Sequence, residues 1–215
     1  KLADLVSLLS GRDFETKEYR DDIVAESYRK LDAGIVQFIN QHNFTQFVMA
    51  LKGAGFVSSK QLNSQMTLDF AYTLYLMLRS DPTIPNEQIK RHVQKWFVLS
   101  TLTSRYIGSP ETQMDRDMRN IEEKGFKTEV EASALSETFW TVTLPQNLET
   151  SSVNSPAFNT FLAAQINLNC NSLLMKGTKV SDLITISGDV HHIFPRNYLK
   201  KNGIDNKTKY NQADA

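Results

Sequence analysis

The chain has 215 residues, enough for one or two domains that bury roughly 70% of their unfolded surface. Its 24 Lys and Arg balance 24 Asp and Glu. That excludes a uniformly basic nucleic-acid trap and confines any polyanion-binding surface to a local patch. The single cysteine, Cys170, excludes an internal disulfide and fits a small apolar residue in a reducing compartment. No apolar run is long enough for a membrane span. The Lys1–Ser10 stretch, broken by Asp4, is a poor signal peptide. A chain that begins with lysine is expected to be a piece of a longer cytoplasmic protein.

Helical signals dominate from the start. Asp21 and Asp22 open a segment with Ile23, Tyr28, Leu31, Ile35, Phe38 and Ile39 at helical spacing. Phe44 to Leu51 predicts a second helix, stopped at Lys52-Gly53-Ala54-Gly55. Met66 to Leu78 is apolar on nearly every side and predicts a central helix packed by neighbours. Asp81-Pro82 and Pro85 break the chain. Asn86 then reads as a cap for an amphipathic helix through Trp96 and Phe97 to about Ile107. Ser109-Pro110 predicts a charged helix from about Glu111 to Lys124, and Ser155-Pro156 repeats the device before Ala157–Leu168. Between them, the Gln146–Ser155 stretch reads as a linker or exposed loop.

The pattern changes near Leu183. Ile184-Thr185-Ile186 reads as a strand, Ser187-Gly188-Asp189 as a turn, and Val190 to Phe194 as a second strand. The expected fold is therefore mainly α, six to eight helices over residues 1–180. A short carboxy-terminal β-hairpin over 181–215 would begin a truncated ββα-metal motif.

That hairpin carries the chemistry. Two of the four histidines stand together in Asp189-Val190-His191-His192-Ile193-Phe194-Pro195. From Arg196 to Tyr210 five basic residues follow against one acid, Asp205: Arg196, Lys200, Lys201, Lys207 and Lys209. An HNH nuclease site needs a divalent cation to stabilise charge at the scissile phosphate, and a base to activate water. Histidine suits the base because it titrates near neutrality. His192 is the expected base and His191 a metal ligand for Mg2+ or Mn2+. Ile193 and Phe194 would anchor the strand in a small core, and the basic run would follow the phosphates.

The tail resembles the His-His-Ile-Phe-Pro segment of bacterial proteins that join an amino-terminal ParB/sulfiredoxin-like domain, a helical region and a carboxy-terminal HNH segment. These are relatives of the GmrSD modification-dependent restriction endonucleases. The resemblance continues inward through Lys95-Trp96-Phe97-Val98-Leu99-Ser100, Arg105-Tyr106, Gly108-Ser109-Pro110-Glu111 and Asp115-Arg116-Asp117. It implies a metal-dependent DNA endonuclease of restriction or phage defence, with a ParB-like domain of the same polypeptide and DNA as partners. It also implies an asparagine ligand about two dozen residues after the base, which would fall at or beyond Ala215. The chain by itself is expected to be inactive.

The alternative is a non-catalytic helical scaffold that couples an absent sensor domain to a nuclease domain. Trp96-Phe97 and the Met66–Leu78 block read as core, and His42 and His92 as ordinary surface or boundary residues. The Asp115-Arg116-Asp117 and Arg119 cluster reads as a solvated helix face with local pairs.

Overall fold

A computed structural model describes residues 18–126, 136–149, 152, 154–173, 175–186 and 194–205. Nine α-helices lie among them: α1 Asp21–Phe38, α2 Gln41–Gly53, α3 Gln65–Ser80, α4 Asn86–Leu102, α5 Pro110–Lys124, α6 Leu144–Leu148, α7 Pro156–Asn167, α8 Val180–Thr185 and α9 Arg196–Lys201. A 3-10 turn, Ser59–Gln61, precedes α3, and a π-helical turn, Phe139–Thr143, runs into α6. The chain forms two compact units, Lys1–Gln46 and Phe47–Ala215.

In the first unit α1 starts where expected, but its apolar residues are not covered as its pattern implied. Ile23 is buried, whereas Tyr28, Ile35, Val36, Phe38 and Ile39 are exposed. Asn40 ends the connection by accepting the Asn43 amide at 3.1 Å, which caps the first turn of α2.

The second unit is built round α3 and α4. Ser64 caps α3 by accepting from the Thr67 amide at 3.2 Å. The helix then buries Phe70, Ala71, Tyr72, Leu74, Tyr75 and Leu78, as expected of a central helix. Pro85, one residue before the expected Asn86, occupies the N-cap of α4. Val93, Trp96 and Phe97 on α4 interlock with Phe47, Phe56, Phe70 and Leu74 in one core. Phe56 meets Phe97 edge-to-face at 4.9 Å, a favoured aromatic geometry. Ser155 caps α7 through the Phe158 amide at 3.1 Å, with Pro156 in the first turn.

Three sequence expectations are corrected. Helix α4 ends at Leu102, not near Ile107, because Ser104 turns the chain with a left-handed φ of 51°. Gln146 to Leu148 is helical rather than linker. Ile184 and Thr185 lie in α8, not in a strand. The Asp182 carboxylate accepts the Lys179 amide at 3.2 Å and so closes the first turn of α8. The Thr185 hydroxyl donates to the Ser181 carbonyl at 2.8 Å within the same helix. Among the described residues no strand occurs, and an isolated antiparallel bridge, Asn171 with Lys179, lies just upstream of α8. The turn and most of the second expected strand, residues 187–193, fall outside the described residues.

Candidate functional site

The expected catalytic pair, His191 and His192, lies outside the described residues, as do Lys207 and Lys209. The segment between these two pairs, residues 194–205, is described. Pro195 stands at the N-cap of α9, and Arg196 is its first residue. Lys200 and Lys201 occupy its last turn, exposed, where positive charge complements the helix carbonyls. Leu199 is buried. Phe194, expected in a small core, is instead 46% exposed, and its ring stacks on exposed Tyr198 at 6.4 Å and 20°. The helix closes at Gly203, φ 84°. There the Ile204 amide reaches back to the Leu199 carbonyl at 2.9 Å and the Gly203 amide to Lys200 at 3.2 Å. This is a Schellman stop, which needs a left-handed residue.

The second concentration of chemistry is inside the helical body, on residues that carried the inward resemblance. Asp117 on α5 is fully buried. Arg105 grips it with two donors, Nε to Oδ2 at 2.7 Å and Nη2 to Oδ1 at 2.6 Å. The Tyr106 hydroxyl donates to Oδ2 at 2.9 Å, and Gln113 Nε2 donates to Oδ1 at 2.7 Å. Trp96 Nε1 in turn donates to the Tyr106 hydroxyl at 3.0 Å, while the Arg105 guanidinium lies over the Trp96 ring at 4.9 Å. Burial first, then the Asp117 charge, pushes the Tyr106 phenol far above its ordinary pKa, so it stays a neutral donor.

Two carboxylate oxygens offer about four acceptor sites, and these four donors take them all. Asp117 therefore has no lone pair left for a metal or a substrate, and the arrangement is a clamp. It ties the turn after α4 to α5. The reading of Asp115–Arg119 as a solvated face holds for Asp115 and Arg119, an exposed pair at 3.0 Å. It fails for Asp117. The missed signal was the spacing: Gln113, Asp117 and Ile121 fall four apart, on the stripe that α5 turns inward.

His42 is exposed, in line with its reading. His92 is half-buried, its ring 4.4 Å from that of Phe126. Burial, aided by Lys95, holds it below the ordinary histidine pKa and so keeps it neutral.

Among the described residues no group of three or more His, Cys, Asp or Glu is placed to hold a metal ion. No described helix is long and apolar enough to cross a membrane. The chain matches no protein-family model, no curated protein and no solved structure.

Proposed function

We propose that the chain contributes the helical body and the opening of the HNH segment to a metal-dependent DNA endonuclease of the restriction or phage-defence kind. One observation carries this reading: the order His191-His192-Ile193-Phe194-Pro195 runs directly into a helix that exposes Lys200 and Lys201. A base beside a metal ligand, followed at once by cations for the phosphates, is the set of parts that phosphodiester hydrolysis requires. In this reading His192 takes a proton from water and His191 helps bind the ion. Arg196, Lys200, Lys201, Lys207 and Lys209 hold the DNA strand. The bound Mg2+ or Mn2+ supplies charge stabilisation at the phosphate. The Phe194–Tyr198 stack presents an aromatic face beside these cations, suited to the sugar and base surface of the same strand.

A second reading, a helical scaffold coupling a sensor domain to a nuclease domain, draws on the Asp117 clamp. The helical body uses its buried charge for rigidity rather than chemistry.

The test is nicking of supercoiled plasmid by the natural protein with Mg2+ or Mn2+, beside His192→Ala. Metal-dependent nicking that the substitution abolishes supports the nuclease reading and assigns the base. Nicking that survives His192→Ala removes that assignment. No nicking by the natural protein leaves the scaffold reading.

A further inference from the structure

A trough of about 610 Å3 opens between α4 and α7 at the margin of the core, where Ala163 is a core residue and Val98 and Leu99 pack against it, far in sequence from α9's lysines. One wall is a single stripe of α4, from Arg91 and Lys95 to Val98, Leu99 and Leu102. That stripe is three turns long, roughly 16 Å at the rise of an α-helix. The facing wall is a stripe of α7 at the same periodicity, Thr160, Ala163, Ala164 and Asn167. Half-exposed Trp140, and Ala54 beyond the end of α2, also line it. The floor is fixed rather than soft. Gln94 donates to the Ala50 carbonyl and Asn167 to the Gly53 carbonyl, each at 2.8 Å, pinning the end of α2 between the two walls.

The trough is polarised along its length. At the α4 amino-terminal end stand two exposed cations one turn apart, and toward the other end the stripe is apolar. Among the described residues neither Arg91 nor Lys95 has an ion-pair partner. A helix laid into such a trough meets both walls at its own i, i+3, i+4 and i+7 positions. Positive charge at one end selects carboxylates there and fixes the direction of docking.

We propose that this trough is a docking site for an acidic amphipathic helix of a partner protein. The docked segment spans about three turns, the length of the α4 stripe. Two carboxylates one turn apart lie over Arg91 and Lys95, and its apolar side chains fill the space bounded by Val98, Leu99, Leu102 and Trp140. Docking at this trough is independent of any nuclease activity in the tail.

The full chain is titrated with two synthetic Trp-free helical peptides. One carries two glutamates four apart followed by leucines at helical spacing; the other has lysines in place of the glutamates. Calorimetry reads affinity, and the emission of exposed Trp140 reports occupancy, with Trp140→Phe as the control. The glutamate peptide is expected to bind about tenfold or more tightly than the lysine peptide, with a preference that weakens as salt rises. The double variant Arg91→Glu/Lys95→Glu is expected to invert that preference. Both side chains are exposed, so circular dichroism of the variant should match that of the parent. Equal binding of the two peptides, binding of neither, or an unchanged preference in the double variant would overturn the proposal. A concentration-dependent dimer of the chain that the double variant abolishes would also overturn it, in favour of a second copy as occupant.

Discussion

Asp117 shows how one residue's role is set by distant chain geometry rather than by its neighbours in sequence. Asp115, Arg116 and Arg119 surround it, and Asp115 pairs with Arg119 in solvent. Its own partners Arg105 and Tyr106 come from across a turn, twelve and eleven residues earlier. The spacing places Asp117 on the inward stripe of α5, but its partners are not legible, because Arg105 and Tyr106 reach it only where α4 stops. Removing one member of a buried ion pair leaves the other unpaired, which costs about 3–5 kcal/mol. Asp117→Ala should therefore lower unfolding free energy by about that amount, measured by urea denaturation, while Asp115→Ala should stay within about 0.5 kcal/mol of the parent. Tyr106 gives the cluster a pH signature. Its folded pKa is raised, so its contribution is fully present below the unfolded value, near 10, and is lost as pH climbs toward the folded one. Urea midpoints should fall above about pH 10, and Tyr106→Phe should flatten that fall while starting from a lower stability.

At the scale of elements, helix starts were readable and helix ends less so. Ser64 and Ser155 signal their caps directly, because a hydroxyl that accepts a first-turn amide is a local bond. Four helices end in the same stop, with a left-handed residue at Gly55, Ser104, Asn169 or Gly203. The two glycines announce it; Ser104 and Asn169 do not, which is why α4 was expected to run on toward Ile107. Ile184-Thr185-Ile186 misled for a related reason: β-branched residues favour strands only weakly, and the local Asp182 bond that closes α8 outweighs them. Two of these stops make opposite predictions. A Cβ on Gly55 would lie 1.9 Å from the Ala163 carbonyl oxygen, a clash with α7 backbone, on top of a φ of 94°. Gly55→Ala should thus cost several kcal/mol, about 3 or more, and lower the thermal midpoint sharply. Ser104→Gly should instead raise stability by up to about 1 kcal/mol, since it relieves a left-handed serine. A destabilised Ser104→Gly would mean that the serine side chain contributes more than its backbone strain.

At the scale of the whole molecule, the balance of 24 cations against 24 acids makes any affinity for DNA a property of its cation placement rather than its total charge. The helical architecture was legible because Trp96, Phe97 and the α3 block carry a strong apolar periodicity, and they form the core. The candidate chemistry was legible only as a motif, since His191 and His192 owe nothing to periodicity and a metal site is assembled from parts far apart in the chain. Two basic patches can be told apart by what each should do. If the tail follows the phosphates, each lysine there releases counterions on binding, about 0.9 in the slope of log affinity against log salt. Lys200→Ala/Lys201→Ala should reduce that slope by roughly 2 for duplex DNA and lower stability by no more than about 1–2 kcal/mol, because both side chains are exposed and only their complement to the helix carbonyls is lost. Arg91→Glu/Lys95→Glu, on the trough, should leave the slope as it was. The reverse result, with the trough variant losing the salt dependence and the tail variant keeping it, would move the DNA track from α9 to α4. It would also strip the trough of its charge argument for an acidic helix, since the cations at its end would already be committed to phosphate.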